Sequence, residues 1–192
     1  MILNKETKII SNSTSTYKPF SISKSVQDLL VKQLAHELYN KFLYESFANF
    51  YNLKGLAILE KYYRARANEE EHHYQWIKNY LAENDCEYKH PVPDEIIETW
   101  ADDDLIKPFE LTVEKENETT EQIYAIVDEA IKQKDYITLQ WLMSDNAETG
   151  CLVKEQMEEM TLSRTVMDIA KMEGSWLRKE KSIMNVYNGD LD

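Results

Sequence analysis

Glu37, Glu70, His73 and Glu116 are the residues of this sequence whose types and spacing can do chemistry together. Each falls on or beside an apolar stripe of helical period, where a polar group is costly unless it has a partner. Glu37 lies three residues after Leu34 and seven before Tyr44. The run Glu69-Glu70-Glu71-His72-His73 holds two overlapping ExxH pairs. Residues three apart share a helix face, so a carboxylate and an imidazole at that spacing can bind the same or adjacent metal ions. Counting in sevens and elevens from Glu70 reaches Leu59, Tyr63 and Ile77, which puts Glu70 and His73 in register with a core. Glu69 and His72 are rotated toward Tyr62 and Trp76, on the flank. Glu116 is seven residues from Ile123 and fourteen from Ala130, so it points inward while Glu114 and Glu118 do not. Further along, Asp145, Asn146, Glu148 and Thr149 offer oxygen ligands on a fourth helix.

Three inward glutamates and one histidine make an oxygen-rich, nitrogen-poor site, which suits iron or manganese better than a structural zinc centre. A bridging carboxylate from Glu70 would hold two ions close together, the arrangement needed to pass two electrons to dioxygen. One buried Glu or His is more often hydrogen-bonded core than ligand; four at matched positions point to metal. The two cysteines, Cys86 and Cys151, form neither a disulfide framework nor a CxxC zinc site, and they fit a reducing, cytoplasmic setting. With Lys+Arg 22 against Asp+Glu 35, the formal net charge of −13 argues against nucleic acid and anionic membranes and is compatible with attracting cations. No stretch approaches the roughly 20 apolar residues of a membrane span, and the start of the chain does not read as a secretory signal.

The elements that must position these residues are long helices. Only four glycines and four prolines punctuate 192 residues, a length that suits one domain. Residues 1–22, rich in Ser, Thr, Asn and Lys, read as a flexible extension, and 23–192 as the domain. Ser23 or Ser25 caps a first helix marked by Leu29, Leu30, Leu34, Leu38, Phe42 and Phe47, ending near Asn52 before Gly55. A second runs from about Leu56 to Glu83. A stretch from Asn84 to Lys107, with Pro91 and Pro93, is too long for a tight turn. A third helix starts at about Pro108, and a break near Lys134–Asp135 leads into a fourth through Trp141, Leu142, Val153, Met157 and Met160, the methionines as core filling. After Gly174 a short amphipathic tail forms a fifth helix.

Short, long and short connections mean two antiparallel hairpins joined by a crossover, with helices two and three parallel. Height gives a separate check. Glu37 is fifteen residues before Asn52 and Glu70 fifteen after Gly55, so at about 1.5 Å per residue both climb roughly 23 Å from one turn and meet side by side. Glu116 lies nearly twenty residues before the next break but Asn146 only about eleven after it, so either that turn is misplaced or helix four is displaced.

The motifs HELYNKFLYESF around Glu37, RARANEEEHHYQWI around Glu70 and His73, KENETT around Glu116 and LQWLMSDNAE on helix four resemble those of bacterial non-haem ferritins, over about residues 24–188. The resemblance implies an all-α, ferritin-like four-helix bundle with a long crossover and a short fifth helix. It implies a ferroxidase and iron store: Glu37, Glu70 and His73 bind a first iron and Glu70 with Glu116 a second, with dioxygen as co-substrate. Asn146 falls where the family usually carries glutamine, and Thr149 where it commonly has a further glutamate, which thins the second iron site. A third, outer site maps to Glu69, Asp145 and Glu148. Tyr44 and Trp141 fall beside the centre, positioned to supply electrons or hydrogen bonds. Glu148 is followed at +3 by Cys151, which excludes relatives carrying a second ExxH such as bacterioferritins and rubrerythrins. The same resemblance implies a homo-oligomeric shell of twenty-four subunits. A subunit that assembles but no longer oxidises iron is the rival expectation.

Overall fold

The computed structural model describes residues 22–96, 100–101, 103–144 and 151–187. The sequence-based extension therefore lies, but for Ile22, outside the described residues. Among the described residues six helices follow in order: α1 Lys24–Leu53, α2 Ala57–Glu83, α3 Lys107–Gln133, α4 Tyr136–Met143, α5 Leu152–Lys171 and α6 Trp176–Val186. There is no strand among the described residues, and no helix there is long and apolar enough to cross a membrane.

The helix ends obey local chemistry. The Ser23 hydroxyl accepts from the Val26 amide at the start of α1. Its far end turns through Gly55 at φ +71°, a left-handed conformation that a side chain would strain. The first turn of α2 has no cap of its own. Glu180, on α6, supplies it, accepting from the amides of Ile58 at 3.0 Å and Leu59 at 3.4 Å. Asp135 caps α4 through the Thr138 amide and hydroxyl.

Cross-links fix the directions. Lys41 meets Glu71 while Tyr51 stacks on Tyr63, so α1 and α2 are antiparallel. Tyr63 meets Thr112 and Arg66 meets Glu116, so α2 and α3 run parallel. Gln156 meets Thr120 and Lys171 meets Glu110, so α3 and α5 are antiparallel. Two antiparallel hairpins joined by a crossover are what the connection lengths require.

The fourth helix departs from the sequence reading. It consists of two pieces, α4 and α5, with extended backbone at Ser144 and Cys151. In the sequence, Ser144, Asp145, Asn146, Thr149 and Gly150 are weak helix formers, which favours a helix that stops at Met143. Met160 is buried as expected, but Met157 is 56% exposed, one residue and about 100° around the helix from inward Gln156. Phe42 likewise faces out, whereas Leu30, Leu34 and Phe47 are fully buried.

The core is layered. One apolar cluster gathers Tyr44, Phe47, Tyr51, Leu59, Tyr63 and Phe109; a second gathers Leu30, Leu34, Ile77, Leu81, Ile123 and Ile126. Burying each such side chain contributes about 1.5–3 kcal/mol, which is what holds a polar layer closed between them.

Candidate metal centre

That polar layer contains Glu37 from α1, Glu70 and His73 from α2, Glu116 from α3, and Gln156 and Glu159 from α5, all 8% exposed or less. Two sets of three side chains each bring their ligand atoms within 4.8 Å of one another: Glu37, Glu70 and His73, and Glu70, Glu116 and Glu159. Glu70 belongs to both. It is the position from which one carboxylate can touch two cations.

The polar groups of this layer are only partly matched. Gln33 donates to Glu37 Oε1 at 2.7 Å, but Glu37 Oε2, both Glu70 oxygens and His73 Nδ1 are buried without a hydrogen-bond partner among the described residues. An unmet buried polar atom costs about 1–3 kcal/mol, so several in one place are a standing penalty that a cation would relieve. His73 Nδ1 lies 3.9 Å from Glu37 Oε2 and 4.0 Å from Glu70 Oε2, and its Nε2 lies 3.4 Å from Glu155 Oε2. The donors, carboxylate oxygens with one imidazole, suit a hard or borderline metal such as ferrous iron.

Without a cation the layer holds protons. Burial pushes the Glu70 carboxyl well above the usual range, and the neighbouring Glu37 and Glu116 push the same way. Burial also raises Glu159, against the pull of Arg66 and His73, to about 7. Burial alone would lower His73, but Glu159, Glu155 and Glu37 outweigh it and carry the imidazole up to about 10. These are the groups that must lose protons for a metal to bind.

The second set has a cation of its own. Arg66 is fully buried, and its Nη2 donates to Glu116 Oε1 at 2.7 Å and Glu159 Oε2 at 3.2 Å, while Nη1 donates to Glu69 Oε2 at 2.5 Å. Glu116 is further held by the Tyr44 hydroxyl, donating at 2.6 Å, and by Gln156 Nε2, donating to Oε2 at 2.8 Å.

The structure brings Glu37, Glu70, His73 and Glu116 into one buried polar layer, and the Tyr44 hydroxyl reaches it through Glu116. Glu69 lies on the flank, between Arg66 and the Tyr187 hydroxyl, which donates to it at 3.0 Å. His72 is exposed. Asp145, Asn146, Glu148 and Thr149 lie outside the described residues. The α5 residues that face the layer are Glu155, Gln156 and Glu159, so the second set has a third carboxylate that the Thr149 argument did not count. Trp141 is not beside the centre. It stacks on Tyr80 at 4.1 Å, ten residues and about 15 Å along α2 from Glu70. Glu159 had a signal: it is seven residues from both Leu152 and Val166, each buried. Arg66 had one too, four residues before Glu70 on the inward stripe, but an arginine there reads as a snorkelling surface residue.

Comparison with known proteins agrees with this geometry. The ferritin-like domain family matches residues 27–163. The chain is 31% identical over 156 residues to a bacterial non-heme ferritin of Campylobacter jejuni, covering 80% of this chain and 86% of that protein. It is 26% identical over 150 residues to another from Staphylococcus saprophyticus, covering 77% and 83%. Among solved structures, the open pore ferritin from Archaeoglobus fulgidus superimposes with a TM-score of 0.73 at 25% identity, covering 88% of this chain and all of that one.

Proposed function

Since the chain belongs to the ferritin-like family, we propose that it is an iron-storage ferritin that oxidises ferrous iron with dioxygen inside its own helical bundle. The observation that carries this reading is the double membership of Glu70 in two three-ligand sets. Iron is the substrate: Glu37, Glu70 and His73 take a first ferrous ion, and Glu70, Glu116 and Glu159 a second, two per chain. Glu70 between them keeps the ions close enough for one dioxygen to accept an electron from each. Tyr44 and Gln156 orient Glu116 by donating to its two oxygens. Protons leave Glu70, Glu159 and His73 as the ions enter. The ferric product passes to a cavity enclosed by a homo-oligomeric shell of twenty-four subunits. The cytoplasm is its setting, in keeping with a chain that carries only two cysteines, too few for a disulfide framework. The acidic chain has no nucleic-acid or membrane partner in this reading.

Anaerobic ferrous titration of apoprotein, followed by a pulse of oxygen, tests it. Two ions bound per chain and oxidation far faster than in buffer are expected, with Glu70→Ala folded but inert. Normal stopped-flow oxidation by Glu70→Ala would sink the assignment. A second reading, a subunit that assembles but whose second ion position is inactive, is favoured by one observation: Arg66 already occupies the carboxylates of that position. Assembly without oxygen consumption is its signature.

A further inference from the structure

A guanidinium sits where a metal ion should. Arg66 Nη2 bonds two of the three carboxylates of the second set, Glu116 at 2.7 Å and Glu159 at 3.2 Å. It therefore makes the contacts that a second cation needs. Arginine keeps its charge at any working pH, so this occupant cannot leave by losing a proton. It can leave only by moving.

The structure supplies a place to move to. Nη1 of the same guanidinium already holds Glu69, whose side chain is 33% exposed, whereas that of Glu116 is fully buried. Glu69 is in turn fixed by the hydroxyl of Tyr187, just past the end of α6. The inner seat is also an imperfect one. Arg66 Nε is buried with no hydrogen-bond partner among the described residues, and both Glu70 oxygens beside the cluster are unpartnered too. A permanent structural bridge would satisfy these groups. A displaceable one need not.

We infer that Arg66 is a built-in cation that keeps the second ion position closed, and that an incoming metal ion displaces its guanidinium outward onto Glu69. This rests on the reading that the two sets bind metal, and it adds an order: the Glu37–Glu70–His73 position fills first, and the second fills at the expense of an ion pair. Arg66 is thus a gate on occupancy, and the Glu69–Tyr187 pair ties that gate to the tail helix.

The test uses Co²⁺ as the probe, without iron or oxygen, on the full-length protein, with calorimetric stoichiometry and visible absorption as readouts. Wild type should bind one Co²⁺ tightly and a second at least about ten-fold more weakly, a gap of about 1.4 kcal/mol. Arg66→Gln, checked for fold by circular dichroism, should bring the second constant to within about three-fold of the first. Glu69→Gln, at a half-exposed position, provides the reading if Arg66→Gln does not fold. It should weaken the second ion about three- to ten-fold and leave the first unchanged. In the Arg66→Gln background Glu69→Gln should do little, because its effect runs through the guanidinium; an equal effect in both backgrounds is plain charge loss and overturns the gate. Two equal constants in wild type, or an unchanged second constant in Arg66→Gln and in Glu69→Gln, also overturn it while leaving the metal centre standing. Absence of Co²⁺ from the His73 position in wild type removes the metal centre, and the gate with it.

Discussion

Replacing Glu70 by glutamine should make the metal-free protein more stable while destroying its metal chemistry. Glu70 is 1% exposed, both its oxygens lack hydrogen-bond partners among the described residues, and it faces the carboxylates of Glu37 and Glu116. The amide is nearly isosteric, so no cavity opens. It is neutral at every pH, and its NH₂ can donate toward Glu37 Oε2, itself unpartnered. Relief of one such unmet polar interaction is worth about 1–3 kcal/mol. For a chain of this length that raises the apparent Tm by about 2–12 °C. The pH dependence has a definite sign. The folded state holds the Glu70 proton to higher pH than the unfolded chain does, so the wild-type contribution is complete below the unfolded value near 4.5. It is lost as pH rises through the elevated folded value. The advantage of Glu70→Gln should therefore be absent near pH 4 and grow toward pH 8. Thermal melts of metal-free wild type and variant across that range, at matched scan rate, measure it. Ferrous titration of the same samples should show loss of paired binding. A variant less stable than wild type at pH 8, or one still binding two ions, would refute the argument that Glu70 is held in strain for metal.

Three further outcomes follow from the same geometry. Anaerobic ferrous binding should release protons from Glu70, Glu159 and His73; release per ion should fall as pH rises through about 7, where Glu159 has already ionised, and a pH-stat titration reads it directly. Tyr44→Phe removes the 2.6 Å bond to Glu116 and should cost about 1.5–3 kcal/mol of stability with slower ferrous oxidation, seen by denaturant melts and stopped flow. Glu180→Ala uncaps α2 and should cost about 0.5–2 kcal/mol, lowering Tm without changing how many ions bind.

The sequence alone determined most of what depends on helical period. Leu59, Tyr63, Ile77, Ile123 and Ala130 are buried where sevens and elevens place them, the same count turned Glu70, His73 and Glu116 inward, and the rise per residue put Glu37 and Glu70 side by side. Connection lengths determined the parallel run of α2 and α3, because a crossover of that length reaches the far end of the bundle. Period carries no information across a break. The fourth helix is interrupted between α4 and α5, so a register counted from Trp141 cannot be carried into α5; the residue that meets Glu116 is Gln156, further along the chain than the height count looked. Only the tertiary structure could show that α5 restarts in phase with Leu152 and Val166 and offers Gln156 and Glu159. Only it could show that Glu180 of α6 caps α2, or that Arg66 turns its charge into the core. A helical stripe says which way a side chain leaves the backbone. What it meets there is decided by the neighbouring helices, and for a long charged side chain that meeting settles whether the charge stays in water or is buried against carboxylates.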